Sequence, residues 1–172
     1  MAPRFELHQD ETQFGEMMPS TVDGSEATAE AFGRSWEVQS LGRDVAGPRI
    51  QLYDPETREA VVSFRGADYR NGSIRAPTDA FRWRKRLAGI LEYEMIDGRG
   101  RAVIRLVPSW MGLWRTETRV HVHPAAWEIK ELPELLLLTW FLRIRAESRS
   151  RFGGLWGVLA RRPSARRRFR LD

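Results

Sequence analysis

The chain has 172 residues, a net charge of +5 and no cysteine, with 42% of its residues apolar. That is enough for one domain with a core. The missing cysteines exclude a disulfide framework, a thiolate nucleophile and any cysteine-based zinc site, and fit a reducing compartment. Charge is unevenly placed: residues 1–33 carry seven acidic side chains against Arg4, whereas residues 143–172 carry ten arginines against Glu147 and Asp172. Such segregation points to tails that interact, either with outside partners or with each other.

Residues 1–33 show no sustained apolar period and contain Pro3, Gly15, Pro19 and Gly24. They read as a flexible acidic arm, too poor in burial to offset ordering entropy. A short helix over 25–32 is expected from the Ser25 cap and the alanines at 27, 29 and 31. From Ser35 the pattern turns strand-like, with Trp36 and Val38 alternating with polar neighbours. Residues 49–53 and 60–64 form a hairpin around Asp54-Pro55, where proline sets φ and aspartate supplies an acceptor. Asn71-Gly72 marks another turn.

Phe81-Arg82-Trp83-Arg84-Lys85-Arg86-Leu87 reads as a strand with Phe81, Trp83, Lys85 and Leu87 on one face, in preference to a helix that Leu87, Ile90 and Leu91 would also suit, because Gly89 weakens a helix there. Residues 90–96 and 101–107 flank Asp97-Gly98 as a hairpin, with Glu92 and Glu94 facing Arg101 and Arg105. Thr116 to His123 gives a further strand, Val120 and Val122 inward. Residues 133–147 then form a helix opened by Pro133, with Glu131 and Glu134 near its positive end. Leu135 to Leu138, Trp140, Phe141, Leu142 and Ile144 cover every side of it. A helix apolar all round lies buried or in a membrane. This run is too short to span a bilayer, so the expected structure is a mainly β fold, an antiparallel barrel or strongly curved sheet enclosing one apolar C-terminal helix.

The expected organisation is an acidic arm (1–33), a β-rich domain (34–148) and a basic tail (149–172). Tyr93 to Gly100, Trp110 to Arg115 and Leu135 to Ile144 together resemble the tubby-like barrel superfamily, which includes phospholipid-scramblase-related and LURP-one-related proteins. The resemblance implies a closed barrel of about a dozen antiparallel strands around the helix, and phosphoinositide binding in the tubby proteins. The chain departs from the pattern in having only residues 34–130 before the helix and a basic segment after it. No lipid-site residue of that family transfers to a position here.

No triad, phosphate loop or His/Glu helix motif is present, so the chain reads as non-enzymatic and without cofactor. His121 and His123 share a strand face at a zinc-like spacing, and a metal site there would need a third ligand, for which Glu92, Glu94 and Glu117 are the candidates; solvated surface histidines are the default reading. The stronger chemistry is cationic. Arg82, Arg84, Lys85 and Arg86 form one candidate anion-binding set; Arg161, Arg162, Arg166, Arg167, Arg168 and Arg170 form another. Phe152, Leu155, Trp156 and Leu159 are candidate membrane-interface anchors. Arginine binds phosphate bidentately, so anionic lipid headgroups, nucleic acid and an acidic protein all suit this pattern. The leading expectation is a cytoplasmic domain at the inner membrane face, associating peripherally with anionic phospholipid.

Overall fold

A computed structural model describes residues 5–9, 12–20, 25–44, 47–86, 92–111, 115–148 and 167–171. The strands are β1 (Phe5–Gln9), β2 (Thr12–Pro19), β3 (Glu26–Ala31), β4 (Arg34–Asp44), β5 (Gly47–Tyr53), β6 (Ala60–Asp68), β7 (Asn71–Arg75), β8 (Ala80–Lys85), β9 (Tyr93–Ile96), β10 (Ala102–Met111), β11 (Arg115–Val122) and β12 (Arg167–Leu171). A 3-10 turn (Pro124–Glu128) leads into α1 (Leu132–Ser148). The fold is mainly β. Strands β2 to β11 pair in chain order, each antiparallel to the next, and β1 continues that order beside β2. Strand β12 completes a closed barrel by lying parallel to both β1 and β11.

Alternation drives the inside/outside division. Ile50 and Leu52, Val62 and Phe64, Phe81 and Trp83, and Tyr93 and Met95 point inward and are buried, while their strand neighbours Arg49, Ser63, Arg82 and Glu94 face outward. Helix α1 fills the interior. Leu132, Leu135 to Leu138, Trp140, Phe141 and Leu142 are all buried, on every side of the helix, in one core with the inward strand residues. Trp83 and Tyr93 stack within that core at 5.3 Å between ring centroids, and the Trp83 indole N–H donates to the Tyr69 carbonyl at 3.0 Å. Among the described residues no helix is long and apolar enough to cross a membrane.

Several local expectations are corrected. Residues 1–33 are not simply an arm, since they supply β1, β2 and β3, and within 25–32 the residues Glu26–Ala31 form a strand rather than a helix. Ala27, Ala29 and Ala31 alternate with exposed Glu26, Thr28 and Glu30. That spacing of two serves a strand, and Trp36 stands opposite Ala29, where a small residue leaves room for the indole. Nothing in residues 1–33 alone supplies enough burial; these three strands are flanked in the barrel by β4 and β12.

Asn71-Gly72 lies inside β7, not in a turn. The turn is Tyr69-Arg70, because the Asp68 carboxylate accepts from the N–H groups of Arg70 and Asn71, both at 2.8 Å. The Asp54 turn forms as read, its carboxylate accepting from the Glu56 N–H at 2.9 Å. Within 149–172, residues 167–171 belong to the barrel. The strands missing from 34–130 are therefore found at the two ends of the described chain.

Candidate anion-binding face

Charge follows the barrel's circumference. Strands β1 to β4 contain Glu6, Glu16, Glu26, Glu30, Glu37 and Asp44 against Arg34 and Arg43. Strands β5 to β8 reverse the balance, with Arg49, Arg65, Arg75, Arg82, Arg84 and Lys85 against Asp68 alone, at the end of β6. Pairing register aligns this basic side. Arg49 is opposite Arg65, Arg65 opposite Ser73, and Ser73 opposite Arg82. All four are exposed. With neighbouring strands about 4.8 Å apart, Arg65 and Arg82 stand roughly 10 Å apart across Ser73. Ser73 thus stands between arginine positions on two neighbouring strands, and Arg75 lies two residues further along β7.

The set Arg82, Arg84, Lys85 and Arg86 does not act together. Arg82 is exposed and belongs to the row just described. Arg84 is engaged by Glu94, at 2.8 Å through Nε and 2.7 Å through Nη2. Arg86 pairs with Glu92 at 3.1 Å and lies 3.8 Å from Glu94. Lys85 is half-buried, at the end of the inward series that starts with Phe81 and Trp83. Glu94 also receives Arg105 at 3.9 Å, as the hairpin reading expected. Arg101 instead bonds Asp97 at 2.8 Å, next to the Ala102–Ile96 pair at the turn end of the hairpin. The Arg101 N–H foremost, with the Arg101 guanidinium and the Arg99 N–H, holds the Asp97 carboxyl below the usual aspartate range.

Arg161, Arg162 and Arg166, with Phe152, Leu155, Trp156 and Leu159, lie outside the described residues, as does Leu87. Arg167, Arg168 and Arg170 are placed in β12, where Arg168 is opposite both Glu6 and Glu117, and Arg170 opposite both His8 and Arg119. The acidic N-terminal and basic C-terminal segments thus meet as adjacent strands. His121 is exposed on β11, and His123 uses Nδ1 to accept from the Ala125 N–H at 3.2 Å, capping the 3-10 turn. Among the described residues no three metal-ligating side chains converge.

The two barrel mouths are polar. Where α1 enters, Arg34 bridges Glu134 at 3.2 Å and Asp54 at 3.4 Å, and the Thr78 hydroxyl donates to Glu131 at 2.8 Å. Where it leaves, Arg143 and Arg145 are buried, with the Arg145 guanidinium 5.3 Å from the centre of the Tyr69 ring. Carboxylates at the N-terminal end and guanidiniums at the C-terminal end both suit the helix dipole. Arg49, Arg65 and Arg75 were missed from sequence as site residues. Strand parity would have put them outside, but joining them to Arg82 needs the pairing register. Comparison with family models, curated proteins and solved structures finds no match.

Proposed function

We propose that this chain is a non-catalytic binding domain that associates peripherally with anionic phospholipid, at the inner face of a membrane. The observation that carries the reading is the exposed arginine row of Arg49, Arg65 and Arg82, with Arg75 beside it, on a barrel whose neighbouring strands β1 to β4 are acidic. Segment 149–166 supports it in composition, since Phe152, Leu155, Trp156 and Leu159 are followed directly by Arg161, Arg162 and Arg166. Cationic and interfacial side chains in one stretch suit a headgroup layer. The tubby-like resemblance forms part of the same proposal, which an apolar helix inside a closed barrel supports.

The test is co-flotation with neutral and anionic vesicles over a range of salt, for the full chain and for the Arg65→Glu/Arg82→Glu double variant. Each basic residue near an anionic bilayer contributes about 1 kcal/mol, so losing two lowers partitioning by roughly thirtyfold. Flotation on anionic vesicles alone, weakened by salt and by the double variant, is the expected outcome. Complete displacement by excess RNA would move the assignment to nucleic acid, where the same arginines give a steep salt dependence.

A further inference from the structure

We propose that β3–β4 of one copy of this chain docks on β7–β8 of a second copy, two carboxylates meeting two guanidiniums set at matching spacing. The contact forms in solution without vesicles, so it is independent of the phospholipid reading.

Glu30 and Glu37 are the acidic half. Glu30 stands opposite Ser35 across the β3–β4 ladder, and Glu37 lies two residues further along β4, opposite Thr28. Arg82 and Arg75 repeat that relation with the sign reversed. Arg82 stands opposite Ser73, and Arg75 lies two residues further along β7, opposite Ala80. Each pair is a diagonal of an antiparallel ladder, taken in the same sense, with its members about 7–8 Å apart. All four residues are exposed, alternating with buried, inward neighbours such as Ala29, Trp36, Ile74 and Phe81. The hairpin partner of each is a serine, threonine or alanine, too short to cover the charge.

Their counter-ions are not found on their own barrel. Further round, opposite charges on the outer face do pair: Arg84 meets Glu94 at 2.7 Å, and Arg86 meets Glu92 at 3.1 Å. Among the described residues, Glu30, Glu37, Arg75 and Arg82 make no ion pair. Each diagonal instead holds two like charges, which repel.

A second copy supplies both counter-ions at the right spacing. Glu30 and Glu37 of one copy then face Arg82 and Arg75 of the next, and a single contact relieves both repulsions. The two diagonals lie four strands apart in the barrel order, so unlike surfaces meet. Each docked copy keeps a diagonal for a further one, and the contact extends from copy to copy as a ring or an open chain. Exposed ion pairs are weak and screened by salt, so assembly belongs to high protein concentration and low ionic strength.

Sedimentation velocity of the full chain tests this. At low salt the average mass is expected to climb above that of the monomer as concentration rises. In 1 M salt, where the Debye length is about 3 Å, the chain is expected to return to monomer. Glu30→Arg/Glu37→Arg and Arg75→Glu/Arg82→Glu are each expected to sediment as monomers at low salt. Mixed in equal amounts they should associate again, because one carries only basic diagonals and the other only acidic ones. The milder Glu30→Gln/Glu37→Gln variant is expected to weaken association roughly fivefold, as the loss of two exposed ion pairs gives. A parent chain that stays monomeric at low salt overturns the contact. So does a mixture of reversals that stays monomeric while both keep the parent's circular dichroism, or unchanged association in the glutamine variant.

Discussion

Glu94 is on the outside of the barrel and is nonetheless only 5% exposed, since arginines from both flanking strands surround it. Its loss would leave Arg84 and Arg105 facing each other without a counter-ion. Glu94→Ala is expected to lower stability by about 1.5–3 kcal/mol, the range for hydrogen bonds to charged groups, seen as a lower urea midpoint at unchanged m-value. Asp97 shows the same economy in a turn. Its carboxyl titrates below the ordinary value, so its contribution is complete above the unfolded pKa, about 3.9, and is lost as pH falls through the lower folded value. A stability profile from pH 5 to 2 should therefore decline less steeply for Asp97→Asn than for the parent. The Glu94–Arg105 pair was legible in sequence because one short hairpin contains both residues. The Arg49–Arg65–Ser73–Arg82 row was not, since it crosses four strands and depends on three registers.

Helix α1 was readable from its side chains alone, because no solvated face remains once eight large apolar residues cover nearly three turns. Leu137 and Leu138 are fully buried. Leu137→Asp or Leu138→Asp is expected to abolish cooperative folding, since an unpaired charge in a dry core costs several kcal/mol against a total of roughly 5–15. Leu137→Ala should fold and lose about 2–5 kcal/mol in chemical denaturation. A different constraint acts where β6 meets β7. Gly72 pairs with Gly66, and a Cβ on Gly72 would lie 2.5 Å from both the Phe64 ring and the Arg65 carbonyl. Gly72→Ala must displace that ring, an overpacking cost of about 1–3 kcal/mol measurable as a lower thermal midpoint. Hairpins such as β5–β6 and β9–β10 were legible since turn and strands are contiguous. Strands β1, β2, β3 and β12 were not, because the partners that bury them are distant in sequence and their own composition resembles that of a solvated segment.

The molecule as a whole is a polarised shell around an apolar rod: an acidic side at β1 to β4, a basic side at β5 to β8, and a basic strand set into the acidic flank. Polarity of this kind orients a protein before contact, as opposed charges are steered at a distance set by ionic strength. Reversing the acidic side with Glu30→Arg/Glu37→Arg should therefore not reduce flotation on anionic vesicles, in contrast to reversal at Arg65 and Arg82. The place of β12 also has a meaning for synthesis. Phe5 waits for a partner 162 positions later, at Arg167. At roughly 5–20 residues per second, the ribosome leaves that first strand uncovered for about 10–30 s. Throughout that interval the nascent chain presents an unpaired β edge, so the stage at which this protein most needs a chaperone ends only when its twelfth strand emerges.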